Sequence, residues 1–273
     1  MSDWVTLTAR EIDGPLVVKQ IDPAKIAELS EADIAALPVS RGSRHAALGE
    51  FFTVQGERSA RVRVVSSTGD IDGFGTGMTG GELEIEGDAG ALVGAGMRGG
   101  VLRVRGSVGD DAGAAMAGGL LRIDGNAGAR LGANTPGAAK GMSGGEIVVL
   151  GSAGPEAGAR IRRGLIVVGG DAGRDAGRAM IAGSLVVLGS CGEGTGRGSK
   201  RGSLVACGTV QVPATYRYAC TYQPPHVRMT LLYLVRRHGL VIDAAVIESL
   251  FRRYCGDAGD PGKGEILERV PSV

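Results

Sequence analysis

The chain has 273 residues, of which 43% are hydrophobic and only 4% aromatic, so it can bury a sizeable core made of small aliphatic side chains. Its 49 glycines and 10 prolines make up about a fifth of the chain, without the three-residue period of collagen. The formal net charge of +1 indicates neither nucleic-acid nor membrane binding, and no apolar segment approaches the roughly 20 residues that span a bilayer.

The first ten residues lack a basic start followed by an apolar run, so we expect no secretory signal and interpret the chain as cytoplasmic. The four cysteines show no CxxC or zinc-ligand spacing, which favours free thiols in a reducing compartment. We therefore expect no metal site in this chain.

The N-terminal segment, 1–60, is predicted to form a small α+β cap. Within it, residues 21–38 predict a helix with Asp22 and Ser30 as capping residues and Pro38 as its stop. Such a cap would cover one open end of the repeats that follow.

The segment 61–211 is a glycine-rich 19-residue repeat, with one longer 26-residue step. Each repeat encloses a short stretch in which apolar and other residues alternate, which predicts one strand of a parallel sheet per repeat. The architecture is therefore an all-β fold, a parallel β-helix of about seven 19-residue turns. The predicted inward columns are Leu83, Leu102, Leu121, Ile147, Ile166, Leu185, Leu204; Ile85, Val104, Ile123, Val149, Val168, Val187, Ala206; and Ala89, Val108, Ala127, Ala153, Ala172, Cys191.

The seven extra residues of the long step, ANTPGAA at 133–139, are predicted to leave the coil as a Pro-Gly turn. This loop is either a partner contact or a plain surface bulge.

The outward strand positions change character along the chain. Early repeats carry charges that are predicted to pair between neighbouring strands, Glu84 with Arg103 and Arg105 with Asp124. Later repeats present a valine strip: Val148, Val167, Val186 and Val205. Such a strip is expected to be covered by the segment MTLLYLV of the same chain, by another subunit, or by both on different parts of the strip.

Basic residues concentrate at the corners of the later repeats. They are Lys140, Arg178 and Arg197 in one column, Arg162 and Lys200 in a second, and Arg163 and Arg201 in place of repeat glycines. They suit a polyanion or an acidic partner, unless they are simply solvated turn residues.

The C-terminal segment, 212–273, is predicted to be a helical cap. Its clearest element is VIDAAVIESLFRRYCG, 241–256, which predicts an amphipathic helix that buries Leu250 and Phe251 and ends at Gly256.

Catalytic patterns are weak throughout the sequence. The carboxylate pairs Asp70/Asp72 and Asp110/Asp111 are explained more simply as corner residues than as acid–base pairs. The glycines of GEGTGRG, 192–198, belong to the repeat, and no GK[ST] follows them. A stand-alone β-helical enzyme acting on an anionic polymer remains an alternative of another class.

Three stretches carry a resemblance to a known family. The GGxxxxxGxxGxxxGxGM repeats, the ANTPGAAKGMSGG corner and the ending FRRYCGDAGDPGKGEIL resemble the C-subunit of formylmethanofuran dehydrogenase. The repeats also resemble the C-terminal glycine-rich domain of glutamate synthase, which implies a right-handed β-helix. The sequence departs from the pattern where Ile161 replaces a repeat methionine and where Arg163 and Arg201 replace glycines.

The resemblance implies a structural subunit without an active site of its own. In that family the metal and iron–sulfur centres lie on other subunits. In the related formyltransferase/hydrolase complex of methylotrophic bacteria, zinc also belongs to another subunit. The implied partners are a formyltransferase, an amidohydrolase-like hydrolase and a dehydrogenase-like subunit. The implied cofactor of the complex is methylofuran, whose polyglutamate tail could meet the basic corner residues.

Composition favours the bacterial setting, because 25 arginines against 5 lysines and abundant Ala and Gly are typical of a high-GC genome. The sequence thus predicts the C-subunit of a formyltransferase/hydrolase complex, which converts formyltetrahydromethanopterin through formylmethylofuran to formate. The alternative within the family is the C-subunit of a molybdenum or tungsten formylmethanofuran dehydrogenase.

Overall fold

A computed structural model describes residues 3–12, 14–66, 69–259 and 262–271 of the chain. Within these residues the protein is mostly β, and its longest helix has 14 residues. The strands are β1 (Val5–Ala9), β2 (Leu16–Val17), β3 (Pro38–Arg41), β4 (Arg44–Ala47), β5 (Phe52–Gln55), β6 (Arg61–Val65), β7 (Ile71–Asp72), β8 (Glu82–Glu86), β9 (Val101–Val104), β10 (Leu120–Ile123), β11 (Glu146–Val149), β12 (Leu165–Val168), β13 (Ser184–Val187), β14 (Arg201–Ala206), β15 (Arg217–Tyr222), β16 (Phe251–Gly256) and β17 (Lys263–Arg269). The helices are α1 (Pro23–Ile26), α2 (Glu31–Ala35), α3 (Leu48–Phe51), α4 (Pro225–His238) and α5 (Ala244–Ile247).

Thirteen of these strands form one sheet in the order β15-β16-β17-β14-β13-β12-β11-β10-β9-β8-β6-β1-β5. The pairs from β1/β6 through β14/β17 are parallel. The pair β1/β5 at one end and the pairs β15/β16 and β16/β17 at the other end are antiparallel. A second sheet has the order β4-β3-β2-β7. The protein is thus mostly β with few helices, which agrees with the predicted class at this coarser level, and the parallel pairing of the repeats is confirmed.

The register of the sheet follows the repeat. Leu102 pairs with Leu121 across a 19-residue step, and Leu121 pairs with Ile147 across the 26-residue step. A second line of parallel bridges joins Ala89, Val108, Ala127, Ala153, Ala172, Cys191 and Val210 in turn. The predicted inward columns are buried, each side chain being at most 7% exposed. Full burial of a Val, Leu or Ile side chain contributes about 1.5–3 kcal/mol.

Glycine is required where successive repeats approach closely. A Cβ on Gly118 would lie 2.3 Å from the main-chain oxygen of Arg98 in the preceding repeat, which no real side chain tolerates. Ile161 is fully buried in the column of the repeat methionines, so that departure from the family pattern still fills the core.

The N-terminal capping residues are confirmed, although they belong to two short helices and not to one. The Asp22 carboxylate accepts from Ala24 N at the start of α1, and Ser30 with Asp33 forms a capping box on α2. Ala36 ends α2, and Pro38 begins β3. The loop at 133–139 leaves the repeat with Pro136 and Gly137 exposed, as the sequence predicts.

The predicted C-terminal helix over 241–256 is wrong for most of its length. Only Ala244–Ile247 is helical, whereas Phe251–Gly256 forms β16 between β15 and β17. Leu250, expected inside, is 50% exposed. The main-chain N–H and C=O groups of β16 form hydrogen bonds with the two neighbouring strands. The spacing of apolar residues within 241–256 cannot reveal these partners, because they lie elsewhere in the sequence.

Candidate partner-binding surfaces

The structure divides the seven predicted basic residues into two groups. Arg162, Arg163, Lys200 and Arg201 lie at the start of β12 and β14, and all four are exposed. Lys140 lies beside the 133–139 loop, and Arg178 and Arg197 lie on turns at another corner of the repeat.

The first group is continued by Lys263, which pairs in register with Arg201 on the adjacent strand β17. We call these five residues the strand-start cluster. Like charges opposite each other in a sheet are unfavourable unless an anion compensates them. Among the described residues, no carboxylate lies within ion-pair distance of Arg162, Arg163, Arg201 or Lys263. These four residues therefore bring positive charge together without a compensating carboxylate among the described residues.

Both arginines of the second group already have carboxylate partners. Arg178 Nη2 lies 3.0 Å from Glu156 Oε2, and Arg197 Nη2 lies 2.7 Å from Asp175 Oδ1. In both pairs the arginine follows its carboxylate by one repeat plus three positions. The polar cleft beside Arg197 is also lined by Glu193, so this corner offers a polyanion less net positive charge.

The valine strip of the outer sheet face is covered by the protein itself. Val148, Val167, Val186 and Val205 are at most 3% exposed. They pack in one cluster with Val227, Leu231 and Leu234 of α4. Of the two predicted covers, the MTLLYLV segment is correct. Docking of another subunit directly on this strip is wrong, because α4 already occupies it.

Polar contacts fasten the end of α4 to the sheet. Glu146 Oε1 accepts a 2.7 Å hydrogen bond from the Tyr233 hydroxyl, and its Oε2 lies 2.9 Å from His238 Nε2. Arg122 Nη1 donates to the main-chain oxygen of His238 at 2.7 Å. The apolar cover and the charged part of the sheet therefore meet at the last turn of α4.

The charged part of the outer face forms ion pairs between neighbouring strands. The predicted pair of Arg105 with Asp124 is confirmed at 3.4 Å. Glu84 contacts Arg105 and Arg63 and not the predicted Arg103. Arg103 Nε is buried without a hydrogen-bond partner among the described residues. Glu84 therefore pairs with Arg105, two residues further along, and not with Arg103, which lies directly opposite it in the sheet.

Groups with chemical reactivity are dispersed. Burial raises the pKa of Cys191 to about 12 and that of Cys207 to about 11, so neither is a nucleophile near neutral pH. Asp72 and Asp110 accept main-chain N–H groups of Ala91 and Ala129, as expected of corner residues. Within the ranges that the structure describes, no three His, Cys, Asp or Glu side chains are grouped in a way that could hold a metal ion.

A polar ladder beside the sheet was not foreseen from the sequence. Side-chain oxygens of one column each accept the main-chain N–H of the equivalent residue in the next repeat, at 2.7–3.1 Å. The column is Asp88, Ser107, Asn126, Ser152, Asp171 and Ser190. The sequence feature that could have predicted the ladder is that every residue of the column has a side-chain oxygen able to accept a hydrogen bond. The change of residue type from one repeat to the next conceals this feature.

Comparison with known proteins places these features in a family. No family model matches the sequence. A stretch covering 34% of this chain is 28% identical to the C-subunit of a tungsten-containing formylmethanofuran dehydrogenase of Methanococcus maripaludis. The fold matches a chain in the crystal structure of the formyltransferase/hydrolase complex of Methylorubrum extorquens with methylofuran. That match has a TM-score of 0.89 and 31% identity, and it covers 97% of this chain and 100% of the other.

The chain belongs to the family of formylmethanofuran dehydrogenase C-subunits. The match to the curated C-subunit of M. maripaludis spans only 35% of that protein. The match to the solved complex, in contrast, includes both terminal regions as well as the repeats. In the described part of this C-subunit homologue, no helix is long and apolar enough to cross a membrane.

Proposed function

We propose that the protein is a structural subunit of a formyltransferase/hydrolase complex that converts formyltetrahydromethanopterin through formylmethylofuran to formate. The observation that carries this proposal is the match to a full chain of such a complex at a TM-score of 0.89. The dispersed reactive groups of the described residues fit a role without catalysis. The four free cysteines fit assembly in the cytoplasm.

We further propose that the repeats wind into a right-handed parallel β-helix of about seven turns over residues 61–211. The segments 1–60 and 212–273 would cap its ends. Two lines of parallel contacts with the same period support this winding, because the chain must return to the sheet after each 19-residue step. The buried aliphatic columns between those lines would form the core of the coil.

The basic residues are proposed to contact an anion within the assembly, either the polyglutamate tail of methylofuran or an acidic segment of a partner. The candidate residues for this anion contact are Lys140, Arg178, Arg197, Arg162, Arg163, Lys200 and Arg201. The strand-start cluster is favoured, because its three arginines have no carboxylate partner among the described residues. Methylofuran and zinc would then be held chiefly by other subunits.

Affinity purification through a tag on this chain, followed by mass spectrometry and metal analysis, tests the assembly. A formyltransferase and an amidohydrolase-like chain with zinc, without molybdenum or tungsten, would support the proposal. Recovery of a stable monomer at native expression levels would overturn it.

The anion contact has its own test. Arg163→Ala/Arg201→Ala should reduce the methylofuran retained per purified complex or make its assembly more sensitive to salt, because exposed ion pairs are screened. Arg178→Ala/Arg197→Ala is the matched control with the same change of charge. Equal effects of the two double variants would contradict the assignment to the strand-start cluster.

A second candidate is the C-subunit of a tungsten or molybdenum formylmethanofuran dehydrogenase. The observation that favours it is the 28% identity to such a protein. Molybdenum or tungsten with iron–sulfur clusters in the purified complex would establish this version and exclude the hydrolytic one.

A further inference from the structure

The two edges of the large sheet are protected to different degrees. At one edge, β5 packs against α2 and α3. At the other, the first five residues of β15, Arg217–Thr221, are all exposed, so side chains on both faces of this strand meet solvent. β15 also pairs with only one strand, β16, among the described residues. One row of its main-chain donors and acceptors is thus available to a further strand.

β15 carries few of the features that keep an edge strand from pairing with another chain. Its sequence, RYACTY, contains neither proline nor lysine, and a single register shift lies between Tyr218 and Cys220. The three residues from Cys220 to Tyr222 remain in regular register with β16. A strand of this composition is suited to accept an additional one.

An aromatic pair lies beside this open edge. Tyr218 is 59% exposed and contacts Tyr254 of β16 edge to face, with ring centroids 6.0 Å apart. The hydroxyl groups are engaged locally, that of Tyr218 with Thr221 and that of Tyr254 with Glu268. The exposed ring of Tyr218 therefore offers apolar contact area of the kind that dominates interface energetics.

The charge of the edge selects the chemistry of its occupant. β15 contains no acidic residue, and Arg217 at its start is exposed, without a carboxylate partner among the described residues. The neighbouring arginines differ in this respect, because Arg252 pairs with Glu268 and Arg253 with Glu265. An incoming segment would gain most from a carboxylate near Arg217 and an apolar side chain against Tyr218.

We propose that β15 is a docking edge to which an extended segment of a partner subunit adds a strand. This segment carries an apolar or aromatic residue for Tyr218 and an acidic residue for Arg217. The inference rests on the proposed function for the existence of the partner, and it places that partner at the outer edge of the sheet, next to β15, and not on the valine strip that α4 covers.

Cys220 in the middle of β15 provides a direct probe. A Cys255→Ser variant leaves Cys220 as the exposed thiol, since Cys191 and Cys207 are buried. The alkylation rate of Cys220 by iodoacetamide is measured in the free full-length chain and in the purified complex. At least tenfold slower alkylation in the complex is expected, because an added strand and the body of the partner would shield the thiol.

The control is a Cys220→Ser/Cys255→Ser chain with Glu57→Cys, so that its exposed thiol lies at position 57. This thiol should react with iodoacetamide at similar rates in the free chain and in the complex. A complex that forms normally but leaves Cys220 fully reactive would overturn the docking edge while leaving the proposed function intact. Protection of Cys220 in the free chain that grows with its concentration would also overturn it, because the occupant would then be a second copy.

Tyr218→Lys should weaken recovery of the partner at least tenfold, whereas Glu57→Lys should not.

Discussion

At the residue scale, the close stacking of the repeats leaves no space for a Cβ at certain positions. Gly118→Ala should destabilise the protein by about 2–3 kcal/mol, because the new Cβ would meet the main-chain oxygen of Arg98 at 2.3 Å and rigid backbone would have to move. Gly96→Ala is the matched control. Its site has φ +65° and no atom within 4 Å, so only backbone strain of about 1 kcal/mol is expected. Urea denaturation of both variants measures the difference, and equal losses would contradict the close approach.

The same scale shows what single residues reveal in advance. The glycine and aliphatic columns could be predicted because each column repeats residues of one chemical class for one physical reason. The ladder through Ser107 and Asn126 could not be recognised by type, since Asp, Ser and Asn alternate in it. The carboxylate partners of Arg178 and Arg197 could have been predicted from the sequence, because both arginines follow their partners by the same number of residues along the chain.

Another residue-scale prediction concerns Asp257, which is 4% exposed. Burial by itself would raise the pKa of its carboxyl, but hydrogen bonds from the main-chain N–H groups of Gly198 and Gly259 and from Thr215 outweigh it and hold the pKa below its usual value. The stability that this group contributes is therefore present above about pH 4 and is lost as the pH falls through the lower folded-state pKa.

Asp257→Ala should accordingly lose about 1.5–3 kcal/mol of unfolding free energy at pH 7, since hydrogen bonds to a charged group disappear. The difference from the original protein should shrink below about pH 4. Urea midpoints at pH 7, 4 and 3 measure this dependence. Asp70→Ala, at an exposed position, serves as the control and should show neither effect. A deficit that stays constant down to pH 3 would show that the carboxylate charge is unimportant.

At the scale of elements, α4 is held to the sheet mainly through its apolar face. Leu231→Ala should destabilise the protein by about 2–5 kcal/mol, because a fully buried side chain is removed from contact with the valine strip. Met229→Ala, two residues away and 69% exposed in the original protein, should change stability by less than about 0.5 kcal/mol. Thermal unfolding of both variants tests the assignment, and comparable losses would mean that α4 does not form the cover.

Elements were predictable from the sequence to the extent that their partners are local or periodic. The strands of the repeat could be placed because each finds its neighbour one repeat away. Residues 251–256 could not, because the strand there pairs with β15 and β17, and neither pairing leaves a local signal. For the valine strip, the sequence predicts a cover by the MTLLYLV segment or by another subunit. Only the packing of Leu231 and Leu234 against the strip distinguishes the two.

At the scale of the whole molecule, stability should be distributed along the stack of repeats. Deletion of Val101–Gly119, one complete 19-residue repeat, joins Gly100 to Leu120 and places Leu83 of β8 opposite Leu121 of β10. All inward columns are then restored, and α4 keeps its valine strip. We expect a folded protein that unfolds cooperatively, with a denaturant slope lower by roughly 7%, in proportion to the chain removed.

The matched control deletes only Val101–Asp110, which removes β9 but leaves half a repeat that cannot re-form the columns. This shorter deletion should lose cooperative unfolding although it removes fewer residues. Circular dichroism and urea titration compare the two proteins. The comparison separates stacked repeats from an ordinary sheet, because in an ordinary sheet the larger deletion would be the more damaging one. If the full-repeat deletion were the less stable of the two, the proposed β-helical winding would be contradicted.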